Sequence, residues 1–294
     1  MNDKLKTEYP IGIFDSGMGG LSHAKAIANG LPHQSLIYIG DIQHFPYGLK
    51  TTEELKSYCL PIVDYLLKQH CKIIVVACNT ATAAAIDPIR DFVGDRAVVI
   101  DVVSLIVDYA AKHFAHQKLG LIGTEYTIGS KVYDKAFAAQ APSIELCSIA
   151  TPSLIYHIET EINKLNPERT EVYDDLIRKY LSVPVLQDIQ ALILGCTHYP
   201  FVKDRISAYY QHKMPLIDSA VLVAEAISRH CEAALAAVAI QELAIDAPAG
   251  RLDCFGRKLP RNDERSHFFC TQVSEPFSQA VKYFFDQEAE LLTL

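Results

Sequence analysis

The stretch Ile73-Ile74-Val75-Val76-Ala77-Cys78-Asn79-Thr80 decides the fold. Five apolar residues in succession, four of them β-branched, read as a strand buried on both faces, the kind found in parallel sheets. The run ends in a thiol followed by Asn79 and Thr80, natural N-cap residues. An Ala-rich helix is then expected from Ala81 until Pro88 stops it. The stretch Ala191-Leu192-Ile193-Leu194-Gly195-Cys196-Thr197-His198-Tyr199 repeats the pattern, with Pro200 placed for a first helical turn.

Outward from these two runs, short apolar stretches alternate with longer helical ones. Strands are expected at 11–14, 35–39, 73–77, 97–103, 119–122, 143–149, 191–194 and 215–217. Helices are expected at 22–29, 52–69, 130–139, 167–181 and 220–239, with a closing strand at 268–270 and a helix at 278–285. This alternation predicts an α/β protein with mainly parallel sheets flanked by helices. The strand ends also echo one another. Asp15 follows Ile11-Gly12-Ile13-Phe14 much as Gly123-Thr124 follow Leu119-Gly120-Leu121-Ile122, 109 residues separating Asp15 from Thr124, while 118 separate Cys78 from Cys196. Two similar lobes are therefore expected, the first formed by 1–101 and 214–294, the second by 102–213, with the active site at their interface. No Pro- or Gly-rich linker separates them, so they should pack closely.

At 294 residues the chain has about twice the length of a 150-residue domain. Its 27 Lys and Arg against 35 Asp and Glu give a net charge of −8, with no dense basic run. That balance argues against nucleic acid and other polyanions. The opening MNDKLKTEYP lacks the apolar core of a signal peptide, and the Ala-rich stretch 221–245 is interrupted by Glu225, Arg229, His230 and Glu232. A cytoplasmic protein without a membrane span is expected. Thiols stay reduced there, so the eight cysteines do not form a disulfide framework, and their spacing supports no structural metal site. Cys59, Cys71, Cys147, Cys231, Cys254 and Cys270 read as background.

Cys78 and Cys196 differ from those six. Each is placed where a strand meets the positive end of a helix, a position expected to lower a thiol pKa. Two matched thiols suit inversion at a carbon acid, which needs a base on one face and an acid on the other, with roles exchanged for the reverse direction. Asp15 and His198 are the neighbours placed to tune them. Ser16, Asn79, Thr80, Thr124, Thr127 and Thr197 supply hydroxyls and an amide at strand ends, suited to carboxylates and an ammonium. Tyr47, beside Gly48 in the Pro46-Tyr47-Gly48 loop, is placed to close one side of a pocket. The glycine-rich loop 15–20 lacks the spacing of a dinucleotide or phosphate loop, so no nucleotide is assigned.

These motifs together resemble the cofactor-independent glutamate racemases of the aspartate/glutamate racemase family. The matching pieces are 14–20, Gly40-Asp41, Pro46-Tyr47-Gly48, Ala77-Cys78-Asn79-Thr80, Gly123-Thr124 with Thr127, 194–200 and 216–219. The resemblance implies interconversion of L- and D-glutamate without cofactor or metal, D-glutamate supply for peptidoglycan, and a homodimer. It implies that Cys78 acts on D-glutamate and Cys196 on L-glutamate, assisted by Asp15 and His198. Ser16, Tyr47, Gly48, Asn79, Thr80, Thr124, Thr127 and Thr197 would hold the substrate. The chain departs from the family pattern at His44, where a basic residue is common, and at 151–156, where Glu159 stands displaced and no pocket-edge acid is assigned.

Other readings remain open. An aspartate or other amino-acid racemase shares the two-thiol logic. A Cys196–His198 hydrolase needs no second thiol, a non-catalytic amino-acid binder needs neither, and a pyridoxal-phosphate racemase needs a Schiff-base lysine that no strand end here offers.

Overall fold

The computed structural model describes residues 9–32, 34–161, 170–243, 266–272, 274–285 and 289–292. One sheet contains β1 (Ile11–Asp15), β2 (Leu36–Gly40), β3 (Ile73–Val76), β4 (Val98–Asp101), β9 (His267–Cys270) and β10 (Ala289–Leu291). The other contains β5 (Lys118–Gly123), β6 (Glu145–Ala150), β7 (Ala191–Gly195) and β8 (Leu216–Ile217). The described helices are α1 (Leu21–Gly30), α2 (Thr52–Lys68), α3 (Asn79–Val93), α4 (Val102–His113), α5 (Glu125–Gly129), α6 (Val132–Gln140), α7 (Pro152–Glu161), α8 (Thr170–Leu181), α9 (Lys203–Tyr209), α10 (Ser219–Leu243) and α11 (Glu275–Phe285).

The first sheet runs β10-β9-β2-β1-β3-β4 and the second β6-β5-β7-β8, with parallel pairing throughout. The order β2-β1-β3-β4 is thus repeated as β6-β5-β7-β8. β5 takes the place of β1 and β7 that of β3, so the two cysteine-tipped strands occupy equivalent seats. The equivalence extends to the strand at the end of each series. Asp101 ends β4, accepts the Ser104 N–H at 2.8 Å to cap α4, and pairs with Arg90 of α3 at 2.6 Å. Asp218 follows β8, accepts the Ala220 N–H at 3.0 Å near the start of α10, and pairs with Lys203 of α9 at 3.0 Å.

Burial on both faces explains the apolar strands. Ile11 and Ile13 of β1, with Ile73 and Val75 of β3, join a core shared with Leu119, Leu121 and Ile193 of the second sheet and with α4 and α10. Phe14, Ile74 and Val76 face the opposite way, toward α2 and α3. α2 is started by a capping box: Thr51 Oγ1 accepts the Glu54 N–H at 3.3 Å and Glu54 Oε2 accepts the Thr51 N–H at 2.8 Å. No described helix is long and apolar enough to cross a membrane.

Three sequence expectations are corrected. The strand expected to Val103 ends at Asp101, because the Asp101 carboxylate caps a helix that begins at Val102. Pro88 does not stop α3, which runs on to Val93. The cost of one missing N–H is offset by burial of Ile89 and Val93 in the same core as Ala81 and Ala85. β8 pairs with β7, so the chain leaves the second sheet after Ile217. α4, α5 and α7 were not anticipated. Cys254 and residues 167–169 of the expected eighth-helix segment lie outside the described residues.

Candidate active site

The carboxyl ends of β1, β3, β5 and β7 meet around one cavity of about 120 Å³, where open parallel sheets concentrate chemistry. Cys78, Cys196 and His198 line it, with Ser16, Tyr47, Gly48, Asn79, Thr80, Thr124 and Thr197. Phe45, Leu49, Pro152, Ile155 and Tyr156 add an apolar wall. Asp15 and Thr127 are absent from that lining. Asp15 is completely buried beneath it, Oδ2 accepting the Gly17 N–H at 3.1 Å and Oδ1 accepting the Thr197 hydroxyl at 3.1 Å. Burial pushes its carboxyl up, opposed by His198 and by the N–H groups of Gly20 and Gly17. Thr127 donates its amide to Thr124 Oγ1 at 2.9 Å and shares its hydroxyl with Thr124 and Thr80.

Cys78 itself is the N-cap of α3, in place of the expected Asn79 or Thr80. Its sulfur accepts the Ala81 N–H at 3.5 Å, and its thiol donates to Ser16 Oγ at 3.7 Å. The expected depression of its pKa is reversed. Burial, reinforced by the neighbouring Asp15 and Cys196, pushes the thiol up to about 12, outweighing the helix N–H and Ser16.

Cys196 occupies the equivalent seat with different company. His198 Nδ1 lies 3.3 Å from its sulfur, and His198 Nε2 is hydrogen-bonded to Glu159. Burial works against an imidazolium at His198, yet Glu159 and Cys196 together hold its pKa well above the usual histidine value. Cys196 therefore has beside it an imidazole that can take up or return its proton, oriented by a carboxylate.

The rest of the wall fixes the cavity's shape. Tyr47 donates its hydroxyl to Asp41 at 2.6 Å, and Asp41 also holds His44 at 2.8 Å and Thr271 at 2.7 Å. His44, stacked on Tyr58, is outside the cavity lining. Asn79 Oδ1 accepts the Tyr133 hydroxyl at 2.6 Å, leaving its Nδ2 without a partner among the described residues. Gly19 backs onto Thr197, where a Cβ would sit 2.3 Å from Oγ1 and 3.0 Å from the backbone carbon, so only glycine permits this approach of the two lobes. Thr80 and Thr124 close a second crossing at 2.9 Å.

The profile of the Asp/Glu/hydantoin racemase family matches residues 21–227. This chain belongs to that family. It is 38% identical to a glutamate racemase of Acidothermus cellulolyticus over 72% of this chain and 77% of the relative. A glutamate racemase of Beutenbergia cavernae is 33% identical over 97% of this chain and 92% of its own length. Among solved structures, the glutamate racemase of Francisella tularensis in complex with D-glutamate superposes with a TM-score of 0.77 at 27% identity, covering 98% of this chain and 97% of that one. Family membership makes the chain a racemase, an isomerase, on an α/β scaffold of two mainly parallel sheets.

Sequence reasoning missed the acid of this site. Glu159 was read as displaced, but α7 carries it to His198 and its Oε1 lies where a Cβ on Gly17 would come within 2.6 Å. The signal was the helical spacing of Pro152, Ile155, Tyr156 and Glu159, which puts a carboxylate one turn beyond three residues that line the cavity.

Proposed function

We propose that this chain is a glutamate racemase working by proton abstraction and return between two thiols. A single observation carries the reading: two cysteines at equivalent strand ends of two sheets line one cavity, with no third thiol among the described residues that line it. In the L-to-D direction Cys196, as thiolate, takes the α-proton. The electron pair stays on the α-carbon, and the Cys78 thiol delivers its own proton to the opposite face. The product leaves Cys196 as thiol and Cys78 as thiolate, the mirror of the start. Turnover from D-glutamate begins from that state. His198, backed by Glu159, exchanges the Cys196 proton, while Asp15 sets the field beneath both thiols. The substrate ammonium adds a positive charge that favours thiolate formation, including at the elevated Cys78.

Ser16, Asn79, Thr80, Thr124 and Thr197 supply hydroxyls and amides for the carboxylates, with Tyr47 and Gly48 bounding the far side and Thr127 supporting from behind. The product's use in peptidoglycan, a cytoplasmic location and a homodimer belong to the same reading, as do lobes formed by 1–101 with the C-terminal part and by the segment between, the return crossing moved past Ile217. Incubation with L-glutamate in heavy water, without added cofactor, tests it. Deuterium should enter at the α-carbon as optical rotation falls to zero, and Cys78→Ala or Cys196→Ala should each abolish net racemisation. Full racemisation in either variant would sink the two-thiol mechanism, whereas wild-type protein without α-deuterium uptake would return the Cys196–His198 hydrolase or a binding protein to the field.

A further inference from the structure

Tyr133 lies outside every motif that points to this site, and the structure aims it into the site. It belongs to α6, which follows the β5 strand of the second sheet, and its side chain is completely enclosed. Its hydroxyl crosses to Asn79, the residue after Cys78 in the first lobe, and donates to Oδ1 at 2.6 Å. That length is normal for O–H···O and short for N–H···O, so the carboxamide oxygen, not its nitrogen, faces the phenol. Burial, with Asp101 and Cys196 nearby, raises the phenol's pKa well above 10, so it stays a donor.

With Oδ1 engaged, the amide has one orientation left. Asn79 lines the cavity, is 2% exposed, and its Nδ2 has no partner among the described residues. A buried, unpaired N–H group costs free energy unless a ligand acceptor meets it. We infer that Tyr133 is a positioning residue: it locks the Asn79 amide so that Nδ2 presents its donor to a carboxylate oxygen of the substrate. Because Tyr133 and Asn79 come from different lobes, the contact also links lobe approach to carboxylate binding. The inference rests on the glutamate reading above and adds a residue to it.

Tyr133→Phe removes only the hydroxyl. The amide is then free to turn its oxygen toward the carboxylate, and KM for L-glutamate should rise about tenfold while kcat changes less. A double-mutant cycle with Asn79→Ala separates positioning from packing. If Tyr133 acts through Asn79, adding Tyr133→Phe to Asn79→Ala leaves KM where Asn79→Ala put it. An unchanged KM in Tyr133→Phe, or losses that add in full, overturns the inference. Should Tyr133→Phe fail to fold, as read by its thermal midpoint, Asn79→Asp replaces it. An acidic oxygen in the Nδ2 position should bind glutamate more weakly than Asn79→Ala, and equal or tighter binding overturns the proposed orientation. Wild-type protein that does not racemise glutamate refutes the function reading separately, and the cycle is then read as Kd for D-glutamate by calorimetry. Absence of any D-glutamate binding overturns both.

Discussion

Cys78 and Cys196 occupy the same seat in two copies of one strand order, yet their surroundings diverge. Cys78 has a hydroxyl, a helix N–H and a buried carboxylate nearby, and its thiol is raised to about 12. Cys196 has an imidazole within 3.3 Å and a glutamate behind that imidazole. The repeated topology brings both thiols to one cavity, and their unmatched neighbours give each a different proton partner. Symmetry of scaffold combined with asymmetry of tuning is what a reaction with two interchangeable bases needs, since two identical thiols would resist holding one proton between them in a defined state.

The largest test of this contrast is His198→Asn. Losing the proton partner of Cys196 should lower kcat/KM by about 10²–10⁴-fold. L- and D-glutamate have equal free energies in water, so the loss must be the same in both directions. Asymmetry appears instead in the isotope effect, which should rise for α-deuterated L-glutamate and fall for the D-enantiomer, whose abstraction by Cys78 becomes less rate-limiting than return of a proton from Cys196. An equal rise for both would mean that His198 serves both thiols.

Alkylation by iodoacetamide at pH 8, followed by peptide mass analysis, probes the other side. A pKa near 12 against the usual 9 lowers thiolate about a thousandfold, and higher intrinsic nucleophilicity recovers about half of that on a logarithmic scale. Cys78 should react roughly 30-fold more slowly than an unperturbed thiol. Faster labelling of Cys78 than of Cys196 would invert the comparison.

Glu159→Gln comes next, at about tenfold in kcat/KM, the scale of one charge-assisted hydrogen bond. Glu159 holds His198 protonated, so neutralising it leaves burial less opposed and lowers the imidazole's pKa. If the imidazolium is the active form, it is lost at lower pH, and the alkaline limb of the kcat/KM profile moves toward acid. A limb that stays in place would assign it to another group.

The strands and the cysteine seats were legible because they depend on local pattern. Ile73 to Val76 are apolar on successive residues since both sheet faces are covered, and a strand that runs straight into a helix must place its last side chain at the sheet's edge. What depended on direction or distance was not. Asp15 and Ser16 are neighbours, but one points beneath the floor and the other into the cavity, a choice made by the backbone turn. The pKa of Cys78 could not be read because the helix-end effect is local while burial is a property of the whole assembly. Val102 and Val103 continued an apolar run, and the Asp101–Ser104 cap that ends the strand is a short signal beside it. Glu159 is 39 residues from the histidine it holds, so only the packing of α7 reveals it.

The smallest expected effect tests whether the equivalence of the lobes is energetic as well as topological. Arg90–Asp101 and Lys203–Asp218 join the helix after each cysteine strand to the strand end at its lobe's crossing. Both cations are more than a third exposed, so water screens them. Each carboxylate keeps a backbone N–H when its cation is removed, Ser104 for Asp101 and Ala220 for Asp218. Arg90→Met and Lys203→Met should therefore each cost about 1 kcal/mol or less in urea unfolding, with kcat/KM unchanged. The two losses should match, because the seats match. A loss above about 3 kcal/mol at one of them alone would mark a carboxylate left buried and unpaired. The two crossings would then share a path through the fold but not the forces that hold it.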